Sequence, residues 1–186
     1  MSIAAKNVRV RMTCGNLKDV PEFAIPAGFS LRWYKPGDES AWFGIQKQAD
    51  RYNPITPEWF EGEFGFDREP LRQRQCYVLN DQGEATGTGT AWFDDDFEGA
   101  RVGRIHWIAV VPEYQRRGLG KAIMTQLCQR LNEFGHTRSY LITSTGRIPA
   151  IKLYLRFGFQ PLIRSVEDEA AWQEVEERLQ IKALAA

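Results

Sequence analysis

The residues RIHWIAVVPEYQRRGLGK, at positions 104–121, contain the change from an apolar run to a loop with two glycines and three basic side chains. The apolar run belongs to residues 102–111, whose β-branched and aromatic composition predicts a strand. Beyond the loop, apolar residues recur at helical spacing through residues 119–134, and Gly135 predicts the end of that helix. The stretch is therefore predicted to join a strand to the N-terminus of an amphipathic helix.

The loop between this strand and this helix has the features of a phosphate-binding site. Gly118 and Gly120 let the backbone approach a ligand closely. Amides at a helix N-terminus lack intrahelical partners and carry a partial positive charge. Arg116, Arg117 and Lys121 add full positive charges. The loop is therefore predicted to hold a phosphate or pyrophosphate, with a solvated, glycine-rich turn as the alternative.

Two common nucleotide-binding patterns do not fit this loop. A P-loop would need Gly at position 115 and Ser or Thr at position 122, where the chain has Gln115 and Ala122. The dinucleotide fingerprint would need an early βαβ unit and a Gly at position 123, which is Ile123. Neither pattern therefore identifies the ligand.

Further strands and helices are predicted along the rest of the chain. Strands are predicted at residues 8–14, 29–35, 75–80, 85–93, 139–144 and 159–166, the first of them as a short edge strand. Helices are predicted at residues 39–52, from Thr56-Pro57 onward, at 149–157 and at 167–179, and residues 94–99 (DDDFEG) are predicted to be an acidic turn. This order of elements is typical of one α/β domain with a mixed sheet.

The loop and a second segment resemble the two signatures of the GNAT superfamily of N-acetyltransferases. The first signature, Q/R-x-x-G-x-G/A, is matched by Gln115, Gly118 and Gly120, and the preceding IAVVPEY is equally typical. The second signature resembles PAIKLYLRFGFQPL at residues 149–162. The resemblance runs from about residue 29 to residue 164, and it rests on two motifs in the expected order and spacing.

The resemblance implies a single-domain α/β (α+β) fold, with a mixed, mostly antiparallel sheet flanked by helices and with splayed central strands. The strand holding Ser139–Ser144 would diverge from the strand ending at Val111, and acetyl-CoA would enter the gap as cosubstrate. Ile108, Ala109 and Val110 would pair with its pantetheine arm. The amides expected to hold its pyrophosphate are those of Arg116, Arg117, Gly118, Leu119, Gly120 and Lys121.

The resemblance also divides the chain and exposes two departures from the family pattern. Residues 1–28 would form an N-terminal arm with the edge strand, residues 29–166 the acetyltransferase domain, and residues 167–186 a C-terminal helix packed on that domain. Arg147 stands where many members have Asn, so it could reach a phosphate in place of the usual polar contact. The charged helix begins so soon after the last strand that the usual seventh strand is expected to be missing or short.

Direct attack of an amine on the acetyl thioester is the reaction that the resemblance implies, and it needs an acid and a base. Tyr154 matches the Tyr that many members place in the second motif, and a phenol remains protonated at pH 7; packing alone is the alternative. His106 is the candidate base, because residues 104, 106 and 108 of a strand point to one face and members often use a Glu or His there. A half-buried structural histidine is the alternative.

The amine acceptor, a small molecule or a peptide, is not identified by the sequence. Glu113 and Asp94–Asp96 are weaker candidates for the base, and His136 is expected at the surface. The first two helices would line the acceptor side with aromatic residues that more often form core than a binding cage, namely Trp42, Tyr52, Trp59, Phe60 and Phe64. A non-catalytic acyl-CoA-binding or regulatory module on the same fold is the alternative function.

Composition argues against several other classes of function. Lys plus Arg equals Asp plus Glu at 24 each, so the zero formal charge predicts no general attraction to nucleic acid or to an anionic membrane. Three cysteines without a CxxC pair, and only two histidines, predict reduced thiols and no metal site. Neither a signal peptide nor a membrane span is recognised, so a cytoplasmic location is expected. A homodimer is left open.

Overall fold

The computed structural model describes residues 7–180, which form a seven-stranded sheet with helices on both faces. The strands are β1 (Arg9–Cys14), β2 (Ser30–Trp33), β3 (Gln75–Leu79), β4 (Ala85–Phe97), β5 (Ala100–Val110), β6 (Ser139–Ser144) and β7 (Gln160–Leu162). The helices are α1 (Glu39–Ala49), α2 (Trp59–Phe64), α3 (Leu71–Arg74), α4 (Leu119–Glu133), α5 (Ile148–Arg156) and α6 (Val166–Leu179). The parts of the predicted arm and C-terminal helix at residues 1–6 and 181–186 lie outside the described residues.

The strand order is β2-β3-β4-β5-β6-β1-β7, and every neighbouring pair is antiparallel except β5 with β6. The predicted α/β (α+β) fold, with its mixed and mostly antiparallel sheet, is confirmed.

Glycine placement also determines where a helix ends: α2 stops after six residues at Gly65, whose φ of 71° suits glycine. No helix within residues 7–180 is long and apolar enough to cross a lipid bilayer.

β1 does not lie at an edge of the sheet, so the prediction of an edge strand is wrong. It pairs with β6 over its whole length and with β7 on its other side. Alternation shows which face of a strand is buried, here that of Val10, Met12 and Cys14, but not how many strands flank it. β1 thus supplies the seventh strand from the N-terminal side, while the chain after β7 continues directly into α6.

The acidic segment 94–99 is mostly strand, which corrects its prediction as a turn. β4 continues to Phe97 and β5 starts at Ala100, so only Glu98 and Gly99 connect them. Both have positive φ, 55° and 76°, as expected of a two-residue hairpin turn. The three successive aspartates predict a turn, because acidic residues are depleted in strands and favour turns. The sequence therefore does not indicate that the strand continues through them.

β5 and β6 are paired only near their starts. The parallel register ends with Ile105 opposite Leu141, and beyond that point β6 remains paired with β1. The edge that becomes free is therefore that of β5. The predicted splay of the central strands is confirmed, and it opens beside Ile108, Ala109 and Val110.

β5 is irregular at Trp107, where φ is 50° and the register with β4 shifts. An extra residue in a strand turns the side chains that follow to the other face. Ile105 and Ile108 both pack in the core beneath α4, whereas His106 packs against aromatic rings beneath α1 and α2. The expectation that residues 106 and 108 share a face is therefore wrong, because it assumed a regular strand.

α4 packs closely on the sheet at two glycines of β4. A Cβ at Gly89 would lie 2.8 Å from Ile123 and 2.9 Å from Leu127, and one at Gly87 would lie 3.1 Å from Ile123. Larger residues would push the helix away, since protein interiors have no room to absorb such overlaps. This contact fixes the N-terminus of α4 beside the end of β5.

Met12→Ala is expected to lower the free energy of unfolding by about 2–5 kcal/mol, because Met12 is fully buried between the sheet and its helices. Arg9→Ala, at an exposed position of the same strand, should change it by no more than about 0.5 kcal/mol. Urea unfolding of both variants measures the two values. Small and equal losses would show that β1 is not part of the folded sheet.

Candidate functional site

A cleft of about 520 Å³ opens where β5 and β6 separate. Its walls come from the end of α1, the free edge of β5, the start of α4, the loop before α5, and α5 itself. The predicted site residues that line it are Ile108, Ala109, Val110, Arg116, Leu119, Gly120 and Tyr154. The structure therefore brings the strand edge, part of the glycine loop and the second motif to one cavity.

The predicted site residues that do not line this cleft are His106, Arg117, Gly118 and Lys121. The guanidinium carbon of Arg117 lies 5.0 Å from the ring centroid of Tyr114. Nζ of Lys121 lies 5.1 Å from the ring centroid of Phe23. Both cations therefore rest on aromatic rings beside the loop.

The glycine loop turns sharply between β5 and α4. Arg116 and Gly118 both have positive φ, at 61° and 91°, which is a strained conformation for the arginine. Nε2 of Gln115 donates a hydrogen bond of 2.9 Å to the carbonyl oxygen of Val110. The glutamine of the first signature thus holds the loop to the end of the strand.

The amides at the start of α4 are free to bind a ligand. The first bonds within the helix run from the amides of Lys121 and Ala122 to the carbonyl of Gly118. Leu119 and Gly120 precede the first complete turn, and both line the cleft. Such amides point outward from a helix end that carries partial positive charge.

Arg116, Arg117 and Lys121 form no ion pair with any carboxylate of residues 7–180. Their charges repel one another, and a bound anion would relieve that repulsion. Together with the free amides they provide the donors that a pyrophosphate requires. The residues present therefore fit the pyrophosphate that the sequence resemblance implies.

Tyr154 lies in α5 on the wall of the cleft, with 8% of its surface exposed. Burial raises the pKa of its phenol to about 12, while the charge of Arg147 opposes that rise by a smaller amount. The phenol therefore carries its proton at neutral pH. Its ring also packs against Phe159, with 6.4 Å between the centroids, so Tyr154 contributes to the core as well.

His106 is buried on the face of β5 opposite Ile108. Its Nε2 lies 3.0 Å from Oε2 of Glu63 in α2, and its ring meets that of Phe64 edge-on. Burial lowers the pKa of His106 to about 4, and the contact with Glu63 only partly opposes this. The hydrogen bond with His106 lowers the pKa of Glu63 to about 2, although burial acts in the other direction. At neutral pH the pair is thus a neutral imidazole beside a carboxylate.

Glu63 is a functional candidate that the sequence does not single out. Its side chain is 33% exposed, so it links the buried His106 to solvent. In sequence it is one of several acidic residues in and around a short helix. Only the fold shows that this carboxylate, and not Glu61, faces the imidazole.

Arg147 makes contacts across the cleft and does not join the cations of the glycine loop. Its Nη2 lies 2.8 and 3.0 Å from the two carboxylate oxygens of Asp50, at the end of α1. The hydroxyl of Tyr52 donates to the carbonyl of Gly146 at 2.8 Å. Burial raises the pKa of Asp50, but hydrogen bonds from Asn53, the Tyr52 amide and Arg147 lower it overall. The guanidinium is committed to this bridge, which argues against its binding a phosphate.

Of the remaining candidates, Tyr52 lines the cleft and the others do not. Asp94 accepts a hydrogen bond of 2.7 Å from the Tyr140 hydroxyl, Glu113 is exposed, and His136 is half-buried. The aromatic residues Trp42, Phe60 and Phe64 are buried core, as expected, whereas Trp59 is half-buried and Tyr52 is exposed. Within residues 7–180, no three His, Cys, Asp or Glu side chains are grouped as a metal site would require.

Sequence comparison finds similarity along most of the chain. A model of the acetyltransferase (GNAT) family matches residues 42–159. Curated relatives include mycothiol acetyltransferases from Pseudarthrobacter chlorophenolicus, 30% identical over 156 residues, and from Salinispora tropica, 28% identical over 145 residues. These matches cover 81% and 75% of this chain but 48% and 47% of the relatives. The chain thus spans about half the length of the curated relatives it matches.

Solved structures share the fold. A GCN5-related N-acetyltransferase from Sphaerobacter thermophilus aligns with a TM-score of 0.69 at 21% identity, over 83% of this chain and 48% of that chain. The ribosomal-protein-S18-alanine N-acetyltransferase of Escherichia coli aligns with a TM-score of 0.59 at 22% identity, over 73% of this chain and 79% of that chain. At such identities the likeness shows a common fold and no more.

Protonation of His106 is expected to destabilise the folded protein in mild acid. Its pKa is 6.5 when unfolded and about 4 when buried. The stability that the neutral ring contributes is therefore complete above pH 6.5 and is lost as the pH falls toward 4. Between pH 7 and pH 5, the free energy of unfolding should fall by roughly 2 kcal/mol more in the wild type than in His106→Gln.

Urea unfolding of the two proteins at both pH values measures this difference. His136→Gln, which removes the less buried imidazole, is the matched control and should retain most of the wild-type pH dependence. If His106→Gln and the wild type lost equal stability between pH 7 and pH 5, His106 would not be a buried, neutral imidazole.

Proposed function

Because the chain belongs to the acetyltransferase (GNAT) family, we propose that it transfers an acetyl group from acetyl-CoA to an amine acceptor. One observation carries this proposal: a single cleft combines the free edge of β5, the free amides of α4 and the phenol of Tyr154. Acetyl-CoA would supply the acetyl group as an activated thioester. The chain's own residues would bind it, orient it and stabilise the charges that develop during the reaction.

The proposed binding roles follow the walls of the cleft. The backbone of Ile108, Ala109 and Val110 would hydrogen-bond the pantetheine arm, much as an added strand pairs with a sheet edge. The amides of residues 116–120, with the cations of the same loop, would bind the pyrophosphate, whereas the amide of Lys121 is already bonded to the carbonyl of Gly118. The open edge of β5 and the unpaired charges of the loop support these assignments.

Tyr154 is proposed to assist departure of the thiolate when the C–N bond forms and the C–S bond breaks. With a pKa of about 12, it is a weaker acid than a thiol, whose ordinary pKa is about 8.5. Full proton transfer from the phenol would thus be unfavourable by about 3.5 pKa units. Its role is therefore to donate a hydrogen bond to the developing thiolate, which takes its final proton from solvent.

His106 is proposed to assist the attacking amine together with Glu63. The imidazole is off the cleft wall, so an acceptor would reach it through the half-exposed carboxylate of Glu63 or through water. With a pKa near 4, the imidazole of His106 is too weak a base to remove a proton from the amine efficiently at pH 7. The pair would instead stabilise the positive charge that develops on the attacking nitrogen, before its proton passes to solvent.

The alternative function is a non-catalytic module that binds acyl-CoA. The remote position of His106 favours it, whereas Tyr154 on the cleft wall favours catalysis. Thiol release from acetyl-CoA over a broad panel of amines separates the two. Release with at least one amine supports the transferase, and binding of acetyl-CoA with no release on any amine supports the module.

The acceptor is proposed to be an amine on a small molecule or a peptide. The matched relatives are named for mycothiol and for the alanine of a ribosomal protein, and the chain covers only about half of the former. These names support an amine acceptor without choosing one. Action in the cytoplasm, without nucleic acid or membrane and with a homodimer as a candidate assembly, remains part of the proposal.

Tyr154→Phe should lower kcat by roughly 10- to 1,000-fold, because the hydrogen bond to the developing thiolate is removed while the ring is kept. Tyr34→Phe is the control: it also removes a buried hydroxyl, but one that donates to Glu39 outside the cleft. Steady-state thiol release measures both. An unchanged rate for Tyr154→Phe, with chemistry shown to limit turnover, removes the phenol from the mechanism.

Gly118→Asp should weaken acetyl-CoA binding by at least about tenfold, because it adds a negative charge where the loop meets a pyrophosphate. Gly99→Asp is the matched control, since Gly99 also has a positive φ of 76° but lies in the β4–β5 turn. Titration calorimetry gives both dissociation constants. Equal affinities of the two variants would contradict the assignment of the glycine loop.

A further inference from the structure

Arg104 occupies a special position on β5. It is two residues before His106 and is paired with Trp92 of β4 on one side and Tyr140 of β6 on the other. Side chains of directly paired residues share a face of the sheet. Arg104 thus lies on the face that holds the His106–Glu63 pair, just before the point where β5 and β6 separate.

The guanidinium of Arg104 has no partner within residues 7–180. It forms no ion pair or hydrogen bond there, and its Nε is buried. Its guanidinium carbon lies 5.7 Å from the ring centroid of Tyr140. A half-buried, unpaired guanidinium is unfavourable, since removing it from water is not offset by a hydrogen-bonded anion.

Two carboxylates are close enough to feel this charge, but other groups hold them. Asp94 accepts the Tyr140 hydroxyl at 2.7 Å, and Glu63 lies 3.0 Å from His106. The charge of Arg104 contributes to the lowered pKa of each. Neither carboxylate comes within ion-pair distance of Arg104, so the N–H groups of its guanidinium remain available to bind a ligand.

A second arginine extends the positive charge across the same face. Arg11 of β1 is paired with Ile142 of β6, two residues beyond Tyr140. It alternates with the buried Val10 and Met12, so it points away from the core. Arg11 also has no ion pair within residues 7–180, and its charge is felt by Tyr140.

We propose that Arg104 binds an anionic group of the acceptor, so that the acceptor is an amine carrying a carboxylate or a phosphate. The proposal rests on the acetyltransferase function and names its substrate class; Arg104 and Glu63 do not line the cleft, so the acceptor would approach β5 from the face that holds them. The amine would lie toward Glu63 and the anion against the Arg104 fork, which matches the bidentate geometry of both anions. Arg11 would add long-range attraction for the same group.

Matched acceptor pairs test this inference. The pairs are alanine with alaninamide, Gly-Phe with its C-terminal amide, and glucosamine 6-phosphate with glucosamine, so that carboxylates and phosphate are compared separately. In the wild type, the anionic member of at least one pair should have a kcat/KM at least tenfold above its neutral partner. Arg104→Gln should lower that value by about 10- to 100-fold and change the neutral partner less than about threefold.

Two further variants serve as controls for Arg104→Gln. Arg104→Lys retains the charge without the fork and should fall between the wild type and Arg104→Gln. Arg101→Gln changes an exposed arginine of the same strand, which is paired with Asp95, and should preserve the preference. Acetyl-CoA affinity, measured by calorimetry, should be the same in all three variants, which shows that each is folded.

The outcomes distinguish this inference from the proposed function. Thiol release that is equally fast with anionic and neutral partners, or that Arg104→Gln lowers equally for both, overturns the inference and leaves the transferase standing. Absence of thiol release with every member of a wide amine panel overturns both. A preference for anionic acceptors that Arg101→Gln abolishes and Arg104→Gln retains would also overturn it.

Discussion

The separation of β5 from β6 is the feature on which the rest of the site depends. Backbone donors and acceptors need partners, and a strand that leaves its neighbour exposes a row of them. β6 avoids this cost because β1 pairs with it along its full length. The unpaired edge is therefore confined to β5, beside the amides of α4, and the cleft forms at their meeting point.

The irregularity at Trp107 divides β5 into two functional faces. After it, Ile108 and Val110 pack on the face beneath α4 and line the cleft, while His106 and Arg104 lie on the opposite face of the sheet. In a regular strand, His106 and Ile108 would share one face. One positive φ thus allows a single strand to contribute to both proposed sites, that of the acyl donor and that of the acceptor.

Local sequence patterns predict most strands and helices of the fold, but they do not predict contacts between residues that are distant in the sequence. The strand, glycine loop and helix around residues 102–134 are contiguous, so periodicity and glycine placement were enough to predict them. The Asp50–Arg147 bridge joins residues 97 positions apart, and the His106–Glu63 pair joins a strand to a short helix. No spacing rule connects such residues. The bulge at Trp107 is not predicted either, because the alternation of buried and exposed residues along a sequence assumes a regular strand.

The position of β1 has a consequence for how the chain acquires its fold. Among the seven strands of the sheet β1 comes earliest in the chain, yet its two neighbours, β6 and β7, are the fifth and sixth strands to follow it. Contacts between such distant segments slow folding, because a long loop must close before the pairing stabilises anything. The core-facing side of β1 must therefore remain unpaired until β6 has been synthesised. Until then the strand that holds Val10 and Met12 has no partner, so β1 is exposed to misassembly in the nascent chain.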